Sequence, residues 1–283
     1  MFRLYDARLR EVTELRPARR GLLRVLALDN GSGRSADLGD ARIWLLCDLI
    51  RRNAERHGWS VIVGQDATGA SGPVAIDLAA LSIAPPEFQV SAPSAAGGDV
   101  IDLGVGQAGR RRGPGHEAGE LADGPASGRG DIRRLVLAAP VQLDIQDVSA
   151  ASETALVANV VLADVTGRGL DPLAVRRAFL EHRYAEPLNL TWDLLAAADS
   201  EVRRWRELVA RWANEPSKPI CAEYWSRLAE ALDDDLDTPA ALTVLRDLAA
   251  DSQVPAGSKF ESFSAADRVL GLDLVSLVGQ LPA

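Results

Sequence analysis

Lysine is almost absent from this chain of 283 residues. It occurs only at Lys218 and Lys259, and arginine carries the rest of the positive charge. The first 217 residues therefore have no lysine ammonium group, and chemistry that depends on a lysine is excluded from that part of the chain.

Cysteine and long apolar runs are scarce as well. The two cysteines, Cys47 and Cys221, fall on separate predicted helices, so the sequence supports neither a disulfide framework nor a thiolate-rich zinc site. We interpret Cys47 as a small buried hydrophobe. No apolar run is long enough to span a bilayer, and the N-terminus lacks the pattern of a signal peptide, so we expect a cytoplasmic protein with no membrane partner.

An excess of basic charge is also lacking. The formal net charge is -9, whereas proteins that contact a nucleic-acid backbone usually carry a basic footprint. The arginine clusters at 110–112, 176–177 and 203–206 are the candidates for a basic stripe. A tRNA partner is thus not supported by charge, and we expect a small-molecule ligand or a protein partner.

Residues 22–63 have the pattern of one βαβ unit. An apolar run at 22–28 precedes a loop rich in Gly, Ser, Asn and Asp, and apolar residues at three- and four-residue steps then predict a helix over 40–57. A second short strand is predicted at 59–63. In such folds the strands are parallel and buried, and ligands lie at their carboxyl ends, facing helix N-termini that favour anions.

The loop at 28–40 is therefore the predicted site. Arg34 is the strongest candidate for an anion contact. For Asp37 and Asp40 two interpretations stay open, a catalytic role or the capping of the helix with compensation of its dipole. The predicted ligand-binding residues are Asn30, Ser32, Arg34, Gly39 and Arg42, the candidate catalytic residues are Asp37 and Asp40, and no metal site is predicted.

Residues 91–131 differ in composition from the rest of the chain. Gly, Pro, Ala and Ser cluster there, and large apolar residues are almost missing after Leu103, which predicts a flexible insertion. The Gly-x-Gly-x-x-Gly pattern at 104–109 lacks the helix that a dinucleotide site needs, and His116 lacks thiolate partners for zinc. Strand character returns at 132–138.

The chain from residue 169 onward predicts a helical bundle joined by short links. The chain is thus expected to form two domains, 1–168 and 169–283. We expect the helices to be capped by Asp171 before Pro172, by Thr191, by Asp237 or Thr238, and by Ser264, with the last helix short and ending at Gly271.

Four motifs occur in the order and near the spacing that they have in one enzyme family. The tetrapeptide Asp37-Leu38-Gly39-Asp40, followed by Ala41-Arg42, opens the first long helix, and GLDPLAVR at 169–176, LEHRYAEPLNLT at 180–191 and DDDLDTPAAL at 233–242 follow it. Together they resemble class I aminoacyl-tRNA synthetases, most closely cysteinyl-tRNA synthetase and the cysteine ligase of mycothiol synthesis.

The resemblance implies an α/β fold, a Rossmann-like catalytic domain with a parallel sheet followed by a C-terminal α-helical bundle, and a site for ATP and zinc. The chain differs from the family at the positions that bind ATP and zinc. Family members have His-Ile-Gly-His or His-Ile-Gly-Asn at 37–40, whereas Asp37 would set an anion beside the ATP phosphates. Leu28 stands at the first zinc-binding cysteine, and the segment near 151–155, at the family's Lys-Met-Ser-Lys-Ser loop, has no lysine. We therefore expect no cofactor, neither ATP nor zinc.

We interpret the chain as a cysteinyl-tRNA synthetase-like protein that does not aminoacylate and that acts by binding a small ligand or a partner. The alternative is an enzyme with altered chemistry. It would be either a diverged amino-acid ligase or an aminoacyl-tRNA-dependent amide-forming enzyme that needs no ATP. Whether the chain is an enzyme stays open on the sequence alone.

Overall fold

The computed structural model describes residues 1–6, 10–17, 20–28, 38–66, 76–90, 102–107, 133–137, 160–186 and 188–280. A 3-10 turn at Ala79–Leu81 lies between the second and third strands of the main sheet in chain order. The other elements are β1 (Arg3–Asp6), β2 (Glu11–Glu14), β3 (Leu22–Ala27), α1 (Leu38–Arg56), β4 (Ser60–Asp66), β5 (Phe88–Val90), β6 (Leu103–Gln107), β7 (Arg133–Leu137), α2 (Leu162–Gly167), α3 (Leu173–Leu180), α4 (Trp192–Trp212), α5 (Ala222–Asp233), α6 (Thr238–Ala250) and α7 (Ala256–Leu270).

Five of these strands form one parallel sheet in the order β5-β4-β3-β6-β7. The chain first builds the sheet outward from β3 through β4 to β5, and then crosses back to place β6 on the other side of β3. This order is the Rossmann-like one, with a change of direction between β3 and β6. The predicted α/β class, the βαβ unit and the helical region that follows are confirmed.

The local sequence explains why β3 and α1 form the centre of the fold. In β3, Leu23 and Val25 are completely buried between layers. α1 is buried on nearly every side, because the sheet covers one face and helices α3 and α7 cover another. It begins two residues before the predicted start and ends at Arg56, after which Gly58 adopts the left-handed conformation (φ 77°) that glycine tolerates best.

One strand lies inside the stretch that composition assigns to a flexible insertion. β6 pairs with β3 on one side and β7 on the other, and its Leu103 and Val105 are 2% and 0% exposed. Two glycines alternate with these apolar residues, so the composition of the strand resembles that of a loop. The rest of 91–131 lies outside the described residues, and the domain limits at 168 and 169 remain predictions.

The helical region confirms most of the predicted caps and corrects one. Thr191 accepts a hydrogen bond from the amide of Leu194, and Asp171 accepts one from the amide of Leu173. The prediction that Ser264 begins a short last helix is wrong. α7 already starts at Ala256, because its buried face is built partly from small polar residues that conceal the helical period, and Ser264 lies in its interior.

A buried ion pair joins α1 to the helical region. Asp48 of α1 and Arg176 of α3 have side chains that are 1% and 0% exposed, and Arg176 Nη2 donates to Asp48 Oδ2 over 2.8 Å. Arg176 also donates to the carbonyls of Leu270 (2.5 Å) and Leu81 (3.1 Å). Gly271 leaves room for it, because a Cβ there would lie 2.7 Å from Arg176 Nη2.

In the part of the chain that the structure describes, no helix combines the length and apolar character needed to cross a membrane.

Replacing Arg176 with methionine should lower the free energy of unfolding by roughly 2 kcal/mol or more, because Asp48 keeps only its partly exposed partners Arg51 and Arg52, and two buried carbonyls lose their donor. Arg227→Met is the matched control, since the pair between Arg227 and Asp247 is about half exposed on both sides and should contribute under about 1 kcal/mol. Urea unfolding of both variants measures the difference. A loss for Arg176→Met no larger than for the control would show that the pair does not hold α3 on α1.

The Asp48 carboxylate should make the free energy of unfolding depend on pH. Burial would raise the pKa of Asp48, but the guanidinium of Arg176, together with Arg52 and Arg51, lowers that pKa below its usual value. Since the carboxyl is more acidic in the folded chain, its contribution is present above about pH 4 and is lost as the pH falls through the folded pKa.

The difference in unfolding free energy between the native chain and Asp48→Asn should therefore be constant near neutral pH and shrink on acidification. Urea titrations at a series of pH values measure it. If the difference in unfolding free energy between the two proteins stays constant down to the lowest pH at which they fold, the pKa of Asp48 is not lowered in the folded chain.

Candidate functional site

The ends of β3 and β6 meet where the strand order of the sheet changes direction. The amide of Leu28, directly after β3, donates to the carbonyl of Val105 over 2.7 Å, and Ala27 pairs with Val105 in register. Ala27 and Val105 are buried and form an apolar floor. Sheets of this kind bind their ligands in the crevice outside the carboxyl ends at such a point, so this crevice is the candidate site.

The first turn of α1 belongs to this end of the sheet, because α1 follows β3 in a parallel βαβ unit. The amide of Leu38, the first in the helix, donates to the carbonyl of Val160 over 3.1 Å. Gly39 is buried, Asp40 is half-buried, and both have interaction partners. Asp40 lies where a carboxylate compensates the helix dipole. This position suits the dipole interpretation of Asp40, while a catalytic role remains a prediction.

Four of the predicted site residues lie outside the described residues. These are Asn30, Ser32, Arg34 and Asp37, all in the stretch between β3 and α1. Their assignments as ligand-binding or catalytic residues stay predictions.

Arg42 is in a place that the sequence did not indicate. It is 3% exposed, and its Nη2 donates to the carbonyls of Arg183 (3.0 Å) and Glu186 (2.9 Å), in the segment that follows α3. Burial lowers the pKa of Arg42 to about 10, although the charge of Glu186 acts in the opposite direction. Arg42 thus ties α1 to the helical region, and its predicted role in ligand binding is not tested by this geometry.

A buried carboxylate at the opposite end of the sheet is structural. Asp102, just before β6, accepts a hydrogen bond from the amide of Arg24 over 2.8 Å, and its own amide donates to the carbonyl of Arg24 over 3.1 Å. Sequence reasoning did not select it as a functional residue. The signal available was an aspartate directly before an alternating apolar run, and that pattern is more typical of a strand start than of a site.

The acidic run at 233–237 fastens the N-terminal strand and α1 to the helical region. Each of its aspartates faces its own set of donors, so the run acts as separate contacts and not as a metal cluster. Asp233 accepts from Arg56 and His57, Asp234 from Arg3, Asp235 from the amide of Tyr5 and the hydroxyl of Tyr184, and Asp237 from Arg183 and, as the predicted cap of α6, from the amide of Ala240.

The described residues do not fit a zinc ion. No three of their His, Cys, Asp and Glu side chains are grouped so as to hold a metal. Cys47 is buried in α1, where burial and the neighbouring Asp48 raise the pKa of its thiol and so disfavour the thiolate that zinc binds. Cys221 stands apart, at the start of α5. The expectation that the whole chain needs no zinc remains a prediction.

Two of the three arginine clusters can be placed, and neither forms a basic stripe. Arg176 and Arg177 are 1% and 3% exposed and are held in ion pairs. In the cluster at 203–206, Arg203 pairs with Asp199, and Arg206 donates to Asp171. The third cluster, at 110–112, lies outside the described residues.

Comparisons with characterised proteins place the chain near two groups of cysteine ligases. It is 36% identical over 115 residues to cysteine–tRNA ligase 1 of Burkholderia lata, a match that covers 41% of this chain and 24% of that enzyme. It is 34% identical over 148 residues to L-cysteine:1D-myo-inositol 2-amino-2-deoxy-alpha-D-glucopyranoside ligase of Geodermatophilus obscurus, covering 50% of this chain and 33% of that enzyme. The same ligase of Streptosporangium roseum is 31% identical over 167 residues, or 57% and 39% of the two chains.

These matches confirm the resemblance that the sequence motifs indicated. The chain is related to cysteine–tRNA ligases and to the L-cysteine:1D-myo-inositol 2-amino-2-deoxy-alpha-D-glucopyranoside ligases. No protein-family model matches it. The matches with the three relatives span between 24% and 39% of the relatives' own lengths, so the relatives' complete activities do not transfer with the likeness.

The structural role of the acidic run can be tested at Asp235. Asp235→Ala removes the nearer of the two acceptors of the Tyr5 amide, Asp235 Oδ1 at 2.8 Å, and leaves the Tyr184 hydroxyl at 3.2 Å without its own acceptor. Hydrogen exchange of that amide should therefore accelerate by roughly tenfold. Asp234→Ala is the control, because its pair with Arg3 is exposed on both sides. Equal exchange of the Tyr5 amide in the two variants would show that Asp235 does not anchor β1.

Proposed function

We propose that this chain is a non-aminoacylating relative of the cysteine ligases that binds a small ligand or a protein partner in the crevice between the carboxyl ends of β3 and β6. The observation that carries the proposal is the tetrapeptide Asp37-Leu38-Gly39-Asp40 at the opening of α1. In this family the same position supplies histidine to the ATP phosphates.

The charge at the start of α1 supports the loss of nucleotide chemistry. Asp40 lies in the first turn, where its carboxylate already compensates the partial positive charge that would otherwise attract a phosphate. Asp37, three residues earlier in the sequence, adds a second acidic residue. A polyphosphate approaching this turn would meet negative charge where ATP needs hydrogen-bond donors.

The positions of the two lysines also support the loss of nucleotide chemistry. Lys259 is 7% exposed, and its Nζ donates to the carbonyl of Ala249 over 3.0 Å at the end of α6. Lys218 is exposed in the link between α4 and α5. Neither lies in the sheet or in α1, so this part of the chain has no lysine to neutralise a departing pyrophosphate.

The residues that remain suit a different kind of ligand. Arg34 offers a guanidinium, while Asp37 and Asp40 offer carboxylates, and together these charges match a zwitterion such as an amino acid better than a nucleotide. The buried contacts of α1 with the helical region support a crevice that is formed by the protein itself. We propose that binding requires neither ATP nor zinc and that it takes place in the cytoplasm.

ATP–pyrophosphate exchange across the twenty amino acids tests this proposal, with the cysteine–tRNA ligase of Burkholderia lata as positive control. We expect no exchange above background and no thermal stabilisation by ATP. Exchange with any amino acid would refute the proposal and identify a diverged ligase. Consumption of an aminoacyl-tRNA without ATP would likewise refute it, in favour of an amide-forming enzyme.

Ligand binding itself is measured by thermal shift with each amino acid in the absence of ATP. One amino acid should stabilise the native chain, and Asp37→Ala should weaken that binding, since the variant removes the expected partner of the ligand's ammonium group. Asp193→Ala, which changes an exposed residue in the first turn of α4, is the control and should bind like the native chain. If no amino acid stabilises the native chain, the ligand is not an amino acid and a protein partner becomes the proposal to test.

A further inference from the structure

The guanidinium of Arg42 is buried, and the charge of Glu186 acts on it only from beyond the distance of an ion pair. Its Nη2 is occupied by two backbone carbonyls, which are neutral acceptors. Within the described part of the chain, its Nη1 has no hydrogen-bond partner, and Arg42 forms no ion pair there. Buried charges in proteins are normally paired, because the lost hydration of an isolated ion is not replaced by neutral surroundings alone.

A small void lies beside this side chain. It has a volume of about 20 Å³ and separates α1 from the segment after α3 and from the start of α6. Its polar lining comes from Arg42, His182, Tyr184 and Thr238, and the rest of its wall is apolar. No acidic side chain lines it. We refer to it as the Arg42 void.

The polar groups around the Arg42 void favour an acceptor inside it. Arg42 can only donate hydrogen bonds, and Thr238 and His182 are each able to donate one. Tyr184 is already engaged, because its hydroxyl donates to Asp235 and accepts from the amide of Tyr5. A void of this size admits one particle about as large as a water molecule. A water molecule would satisfy Nη1 but would leave Arg42 with only the more distant charge of Glu186 to compensate its own.

We infer that the Arg42 void binds a single small inorganic anion of the size of chloride, held by Arg42 Nη1 with Thr238 and His182 as further donors. The anion neutralises the buried guanidinium and stabilises the packing of α1 against the helical region. This site is separate from the crevice at the strand ends, and the inference holds whether or not the proposed function is correct.

Halide binding gives the direct test. Crystals of the full chain soaked in bromide should show one anomalous peak within hydrogen-bonding distance of Arg42 Nη1. In solution, the melting temperature should be higher in sodium chloride than in sodium gluconate of the same ionic strength, by roughly 2–4 °C at saturating chloride.

Arg42→Gln should abolish the difference between chloride and gluconate, and Arg227→Gln, which removes an exposed arginine, should keep it. If Arg42→Gln does not fold, the bromide peak in the native chain decides alone. Density for a water molecule with no anomalous signal, or equal melting in the two salts, would overturn the inference.

Discussion

The buried pair between Asp48 and Arg176 is the interaction on which the arrangement of the fold depends. Two opposite charges with almost no exposure are tolerated only when their remaining donors and acceptors are also used. Arg176 meets this condition by donating to the carbonyls of Leu270 and Leu81, so that α1, α3, α7 and the 3-10 turn converge on one guanidinium. Displacing α3 from α1 would separate Arg176 from Asp48, and displacing α7 or the 3-10 turn would take a carbonyl acceptor away from the buried guanidinium.

This constraint reaches the candidate site through α1. The first turn of the helix borders the crevice, Arg42 in the next turn holds the carbonyls of Arg183 and Glu186, and Asp48 lies further along. The three contacts fix the angle at which α1 leaves the sheet. The helical region therefore helps to hold α1, and with it the border of the crevice, in place.

The sequence predicted the parts of the fold that depend on neighbouring residues. The β3-α1-β4 unit was visible because its apolar periods are local, and the caps at Thr191 and Asp237 were visible for the same reason. β6 was missed because its glycines resemble a loop, and the start of α7 was misplaced because small polar residues occupy its buried face. The burial of Arg42 could not be foreseen, since its carbonyl partners are 141 and 144 residues away in the chain. At the site, only the first turn of α1 could be compared with its prediction.

The attachment of β1 has a consequence for the order of folding during synthesis. Arg3 bridges to Asp234, and Tyr5 donates to Asp235, across separations of about 230 residues. At typical ribosomal speeds of 5–20 residues per second, β1 leaves the ribosome roughly 10–45 s before these acceptors exist. Over that interval the strand can pair with β2, and the ring of Phe2 just before it can stack on that of His57 just after α1, but its anchors in the acidic run are still missing. The contacts of β1 with Asp234 and Asp235 can therefore form only after α5 has been translated.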